Sequence, residues 1–165
     1  MSHRLRNSFG LFDAPLPLVT SAFLDWQAQI LGGTEIRMKY HTVDGPLADL
    51  LSHLYPIDIS PTRSLFVPCQ NSWTALFENG MDGTDAGRMP VLAERLRRTT
   101  MRVVSLAQAK EDNPFPAMIW AVYAPGGDPR RSIYSMNDGG RWEFWSDGRP
   151  VRLRGVRMLR GKANP

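Results

Sequence analysis

The feature that most constrains the fold is a hairpin signal in the last third of the chain. Two short strand-like runs, residues 131–136 and 141–145, are separated only by Asn-Asp-Gly-Gly at 137–140. Because Asn, Asp and Gly readily adopt the backbone angles of tight hairpin turns, the two runs are predicted to pair side by side. Strands joined by so short a connection are antiparallel. The sequence therefore predicts antiparallel pairing in this region.

Helical patterns are concentrated in the N-terminal half. Apolar side chains spaced four, three and four residues apart predict a helix over residues 20–31, at Val19, Phe23, Trp26 and Ile30. A run of leucines predicts a short helix over 47–55, which ends before Pro56 because proline disfavours helical geometry in the residue preceding it. Pro90 predicts the start of a third helix over 91–98, since proline fits the first helical position.

Residues 34–43 show a period-two pattern. Apolar and charged side chains alternate one by one, Ile36, Met38 and Tyr40 against Glu35, Arg37 and Lys39. Successive side chains of a strand point to opposite faces of a sheet. This segment is therefore predicted to be a half-buried strand.

The remaining strand predictions are at 64–67, 72–78, 101–106, 117–124 and 151–154. The run 117–124 is apolar on both faces, as expected of a central strand. Residues 1–17 are predicted to be an irregular lead-in to the domain. Early helices followed by strand hairpins indicate an α+β fold with a mainly antiparallel sheet and about three helices, in a single domain over 1–165.

Positive charge is concentrated at the C-terminal end. The chain carries 20 Lys and Arg against 16 Asp and Glu, and residues 149–162 hold six of the cations and no carboxylate. The rest of the chain therefore has a net charge of −2, from 14 cations and 16 acids. A near-neutral body with a basic tail over 149–165 favours nucleic acid less than a uniformly basic domain does.

The composition is typical of a soluble globular protein, with 42% apolar and 22% charged residues. The longest uncharged stretches are too short and too rich in proline to cross a bilayer, and the N-terminus has no continuous apolar signal region. We therefore expect a cytoplasmic protein that does not contact membranes.

The sequence carries no decisive catalytic motif. Cys69 has no second cysteine with which to pair, and nothing beside it would obviously lower its pKa. His41 lies beside Asp44 without a nucleophile motif, and His53 lacks the spacing of a zinc-binding helix. Glycine-rich phosphate loops are also missing from the sequence. We therefore expect no catalytic residue, metal or cofactor.

Three acidic residues cluster around glycines, at Glu78, Asp82 and Asp85. Clustered oxygens can bind hard cations, but this spacing lacks the closing bidentate glutamate of a helical-loop calcium site. The same residues fit a solvated turn. A patch that contacts a partner is a further interpretation of this cluster.

The aromatic hairpin is the strongest candidate site. Trp142 and Phe144 are predicted to point to one face of the sheet and Trp145 to the other, so the core can cover only one of these faces. Tryptophan, tyrosine and arginine dominate the energetics of protein interfaces. The sequence therefore predicts a partner-binding group on this hairpin, formed by Arg131, Tyr134, Arg141 and Trp145. Burial of Trp145 under the tail is the alternative.

Two sequence segments carry a family resemblance. Residues 71–77 (Asn-Ser-Trp-Thr-Ala-Leu-Phe) precede Asn79-Gly80 and Gly83-Thr84-Asp85, and residues 137–144 (Asn-Asp-Gly-Gly-Arg-Trp-Glu-Phe) precede Gly148-Arg149-Pro150. Over about residues 71–150 the chain resembles small bacterial proteins that are similar to the immunity partners of polymorphic toxins. The resemblance implies a small, soluble, non-enzymatic protein that occludes a toxin.

Two other functions stay open at this point. A small enzyme would need a cleft near Cys69, His41 or Asp82, with ionisable groups gathered in one pocket. A nucleic-acid-binding protein would use the arginine-rich tail, and its affinity would fall steeply with salt. The leading expectation is a protein-interaction domain whose partner is another protein.

Overall fold

The computed structural model describes residues 8–57, 62–80, 84–106, 116–137 and 139–151. These residues form three α-helices and seven β-strands. The helices are α1 (Leu16–Leu31), α2 (Leu47–Ser52) and α3 (Arg88–Leu96). The strands are β1 (Ser8–Phe12), β2 (Ser64–Pro68), β3 (Thr74–Glu78), β4 (Thr100–Leu106), β5 (Ala117–Tyr123), β6 (Pro129–Met136) and β7 (Glu143–Gly148).

The strands form one sheet in the order β2-β3-β1-β4-β5-β6-β7, and every neighbouring pair is antiparallel. From β4 onward each strand pairs with the next one along the chain. The first strand instead lies in the interior of the sheet, where Phe12 is opposite Thr74 of β3 and Thr100 of β4. The predicted α+β class with a mainly antiparallel sheet is confirmed.

The helices cover the two faces of the sheet at one end. Helices α1 and α3 pack together on one face, where Phe12, Val19, Leu76 and Leu92 are fully buried. Leucines of α2 pack on the other face against Leu65 of β2 and Phe77 of β3. The core therefore lies over the end of the sheet that contains β1, β2 and β3.

The prediction of an irregular lead-in over residues 1–17 is wrong where the structure describes it. Residues 8–12 form β1, and α1 already begins at Leu16. The sequence Ser-Phe-Gly-Leu-Phe has no clear alternation of polar and apolar residues, because both faces of β1 are covered. Gly10 also weakens the strand signal, yet a β-carbon there would lie 2.6 Å from Cε of Met89. Glycine at this position lets α3 pack closely against β1.

The predicted strand over residues 34–43 is also wrong. This segment has no helix or strand, and it links α1 to α2. Its apolar side chains are largely exposed: 63% of Ile36 and 78% of Tyr40 are accessible to solvent. Only at its end does Val43 pack against the α2 cluster. The alternation of apolar and charged residues predicts pairing with a neighbouring strand, and no strand of the described chain pairs with this segment.

The other predicted elements are present, with shifted ends. Helix α1 starts four residues earlier than predicted, since proline is tolerated in a first helical turn. Helix α2 ends at Ser52, and α3 spans Arg88–Leu96 because Arg97 adopts a left-handed conformation with φ of 52°. The hairpin of β6 and β7 is confirmed. The strand predicted over 151–154 lies outside the described residues except for Val151.

Candidate functional site

The sheet extends beyond the helices that cover its other end. Helices α1 and α3 contact β2, β4 and β5, and every residue of β7 is exposed. Large apolar side chains on this extension are open to solvent: Met118, Met136, Trp142, Phe144 and Trp145. We call this area the β5–β7 surface, defined by these five residues together with Tyr134. The strand registers place Met118 and Phe144 on one face of the sheet and Tyr134, Met136 and Trp145 on the other. Exposed apolar groups on a sheet face are typical of interaction sites.

Tyr134 and Trp145 form the centre of one face of the β5–β7 surface. They lie directly opposite each other in the β6–β7 register, and their rings are 5.1 Å apart between centroids at an angle of 38°. Cross-strand aromatic pairs of this kind stabilise a hairpin and hold both rings in place. The predicted neighbours Tyr134 and Trp145 are therefore brought together, with 56% of Trp145 accessible.

Phe144 and Trp142 are exposed as well, which corrects the prediction that the core covers one face of this hairpin. In the structure 71% of Phe144 is accessible, since no helix of the described chain packs on either face of β7. No sequence signal on β7 reveals this, because the exposure depends on where the helices end on the sheet.

Arg131 has a structural contact in this surface. Its Nη1 donates hydrogen bonds to the carbonyl oxygens of Asp147, at 3.3 Å, and Gly148, so it ties β6 to the end of β7. Gly148 has φ of +82°, and a β-carbon there would lie 2.1 Å from the Arg130 carbonyl oxygen. Arg141 is exposed at the other end of β7. Arg131 and Arg141 therefore lie at opposite ends of the strand.

The edge of β7 carries a regular charge pattern. Among the described residues β7 pairs only with β6, so its outer backbone groups face no other strand. Alternate exposed side chains of β7 are negative, aromatic and negative at Glu143, Trp145 and Asp147, and Arg141 and Arg149 lie just before and just after the strand. An edge strand of this kind is a template on which another strand can pair.

The predicted acidic patch is not assembled at the surface. Glu78 is 3% exposed and forms an ion pair with Arg88. Its carboxylate also accepts hydrogen bonds from the Ser64 hydroxyl and the Asp85 backbone N–H, each at 2.9 Å. Burial raises the pKa of Glu78, and these three partners lower it in part. The prediction that Glu78 contributes to a partner-binding patch is therefore wrong, because its side chain is buried.

The other two acidic residues differ from Glu78. Asp85 is exposed, and its carboxylate accepts a hydrogen bond from the Gly87 N–H at 2.9 Å, which fits the solvated-turn interpretation. Asp82 lies outside the described residues. Within the described ranges no group of three or more potential metal-binding side chains is present.

Cys69 and His41, two of the residues considered for enzyme chemistry, are exposed. Cys69 lies before a short 3₁₀ turn, with its Sγ 3.7 Å from the Val67 carbonyl oxygen. His41 lies in the 34–43 segment, and a shallow pocket of about 280 Å³ between that segment and the end of α1 includes neither residue. The pocket is lined mainly by Ala28, Leu31, Ile36, Arg37 and Met38. It does not gather ionisable groups.

Comparison with known proteins gives no relative from which a function could be transferred: no protein-family model, curated protein or solved structure matches the chain. In the part of the chain that the structure describes, none of the helices is long and apolar enough to span a membrane.

Proposed function

We propose that the chain is a non-enzymatic protein-interaction domain that binds another protein through the β5–β7 surface. The observation that carries this proposal is the complete exposure of β7, a strand with aromatic side chains on both faces. Tryptophan and tyrosine lose little conformational entropy on binding and supply large contact areas, which makes them frequent hot spots.

The rigidity of the surface supports the proposal. Tyr134 holds Trp145 through ring contact, and Arg131 fastens the end of β7 through two backbone carbonyls. A partner that meets side chains already held in position has less ordering entropy to overcome. Burial of these apolar side chains by a partner would contribute favourable free energy to binding.

Charge supports a partner with an acidic surface. Residues 130–162 contain nine cations and three carboxylates, a net charge of +6, whereas the rest of the chain is −2. Complementary charge accelerates encounter and selects among partners. We propose a mechanism of steric and electrostatic occlusion, the mode of the immunity proteins that the sequence resembles. The partner would then be an acidic protein, for example a toxin domain.

A capture experiment with matched variants tests the proposal. The purified chain is immobilised and exposed to a lysate of its native organism, together with variants Trp145→Thr and Ile30→Gln. Ile30 is 55% exposed, like Trp145, but lies on α1 away from the β5–β7 surface. We expect a stoichiometric acidic protein on the wild type and on Ile30→Gln, and at least a tenfold loss on Trp145→Thr.

Two results would contradict this function. One is that the wild type retains no protein in stoichiometric amount. The other is that Trp145→Thr retains the same protein as fully as Ile30→Gln does. Circular dichroism of each variant provides the folding control, because substitution of an exposed side chain should leave the spectrum unchanged.

A further inference from the structure

The 34–43 segment is an amphipathic stretch without a strand partner in the described chain. Ile36, Met38 and Tyr40 alternate with Glu35, Arg37, Lys39 and His41, and most of these side chains are exposed. In an extended conformation the charged residues would share one face and the apolar residues the other. The segment thus has the pattern of a strand and lacks the pairing of one.

The segment is far from the β7 edge of its own chain. It connects α1, which contacts β2, to α2, which packs against β2 and β3. Strands β2 and β7 are at opposite ends of the sheet order, separated by six strand spacings. At about 4.8 Å per spacing this is roughly 29 Å. A 34–43 segment that pairs with β7 must therefore belong to another molecule.

The charge pattern of the segment complements that of the β7 edge. In an antiparallel pairing that places Arg37 opposite Asp147, His41 is opposite Glu143, and Glu35 is next to the end of β7, which Arg149 follows. Lys39 then faces the Trp145 ring, a favourable cation–π arrangement, and Tyr40 faces Phe144. Opposite charges and aromatic pairs across neighbouring strands are stabilising. Antiparallel pairing also continues the pattern of the whole sheet.

Pairing of two β7 edges in the register centred on Trp145 is unfavourable. Centred on Trp145, such a pair would place Glu143 opposite Asp147 at two positions. Like charges directly opposite each other destabilise a strand pair. The edge thus disfavours its own copy in this register while it matches the 34–43 segment.

We infer that a second copy of this chain docks its 34–43 segment as an added antiparallel strand on β7. The inference rests on the proposed function, since it takes the β5–β7 surface as an interaction surface and names an occupant for its edge. The donor segment and the acceptor edge lie at opposite ends of the sheet. The contact is therefore heterologous, and each added copy leaves one donor and one acceptor unoccupied. The size of the assembly therefore rises with protein concentration. A foreign partner bound at β7 would compete with the 34–43 segment of the second copy.

Charge exchange between two variants tests this contact. Sedimentation equilibrium of the wild type over a concentration series should give a mean mass that rises above the 18.6 kDa of the single chain. Arg37→Asp and Asp147→Arg each create a like-charge pair, so each alone should associate about tenfold more weakly. Equal amounts of the two variants restore opposite charges at every junction, and association should return. Asp25→Arg, the same charge change at an exposed position of α1, is the matched control.

Two results of the sedimentation experiments would overturn the inference. A wild-type mass of 18.6 kDa at every concentration overturns the inference, as does unchanged association of the Arg37→Asp variant. Restored association of the double variant Arg37→Asp/Glu143→Arg, which keeps Asp147, overturns the antiparallel register. The proposed function is judged separately by capture on Arg37→Asp, which should retain the foreign protein as the wild type does. If the chain is monomeric but still captures this protein through Trp145, the self-association is refuted and the proposed function stands.

Discussion

Arg88 illustrates at the scale of one residue how this domain accommodates a charge near its core. Its guanidinium pairs with Glu78, donates a hydrogen bond to the Ser64 hydroxyl at 3.0 Å, and lies 5.4 Å from the centre of the Phe23 ring. Ser64 in turn donates to Glu78, so the three polar groups satisfy one another. A buried carboxylate is tolerated only with such partners.

We predict that Arg88→Met lowers the free energy of unfolding by about 3 kcal/mol at pH 7, because it leaves the Glu78 carboxylate buried without a counter-charge. Methionine keeps the apolar contact with Phe23, so the loss reports on charge. Urea unfolding measures the difference. Arg98→Met, at an exposed position just after the same helix, should cost less than about 0.5 kcal/mol and serves as the control.

The same residue predicts a pH dependence. Burial raises the pKa of Glu78 above its ordinary value of 4.5, so the folded state binds the proton more tightly than the unfolded state. The contribution of Glu78 to stability is thus fully present below pH 4.5 and is lost as the pH rises through the raised pKa. The penalty in Arg88→Met should shrink as the pH is lowered toward 4.5. A penalty that grows on acidification would contradict this account.

At the scale of elements, β1 and β7 are opposite cases of strand environment. Strand β1 has paired neighbours on both sides and alternate residues that are fully or nearly fully buried. Strand β7 is exposed throughout and, within the described ranges, is paired on one side only. The stability of a backbone hydrogen bond depends on how much of the fold must open to expose it.

We predict that amide hydrogens of β7 exchange at least about a hundredfold faster than those of β1, because β7 opens locally and β1 opens only with the core. Hydrogen exchange followed by mass spectrometry at low protein concentration measures both strands in one experiment. Concentrating the protein should slow exchange in β7 and in the 34–43 segment but not in β1, since the proposed self-association pairs the first two. Equal protection of the two strands in dilute solution would show that our ranking of the elements is wrong.

The sequence predicts elements well where neighbours in the chain are neighbours in space. The β6–β7 hairpin and the helices follow from turn residues and apolar spacing, which are local signals. The two errors, residues 8–12 and 34–43, both concern pairing with distant partners. Strand β1 is defined by β3 and β4, more than sixty residues away, whereas the 34–43 segment alternates like a strand and meets no sheet. Local periodicity cannot report which partner is present.

The candidate site was predictable in part for the same reason. The contact of Tyr134 with Trp145 follows from the hairpin register, and the exposure of Trp145 fits an interaction role. The burial of Glu78 was not predictable, since it depends on Ser64 and Arg88, which come from separate elements. The exposure of Phe144 depends on where the helices end on the sheet, which no motif on β7 encodes.

At the scale of the molecule, the fold divides into a covered part and an uncovered part. The helices and the sheet faces around β1 form the core, and the β5–β7 surface extends from it. Stability is therefore expected to depend on the first part and recognition on the second. This division lets Trp145 be substituted without loss of folding.

We predict that deletion of residues 1–12 abolishes cooperative unfolding, because it removes β1 from between β3 and β4 and leaves Leu76 and Met89 without Phe12. Urea titration followed by tryptophan fluorescence should show no sigmoidal transition. Addition of a synthetic peptide of residues 1–15 should restore one, since it supplies the missing strand. A truncated chain that unfolds with the cooperativity of the full chain would refute the central role of β1.

The interior position of β1 has a consequence for how the protein is made. The ribosome releases β1 before either of the strands that flank it, and β4, which closes its second side, ends at Leu106. Until Leu106 has been synthesised, Phe9, Leu11 and Phe12 therefore belong to a nascent chain that cannot finish the sheet. Such a chain depends on rapid synthesis or on chaperones that shield its beginning until the rest emerges.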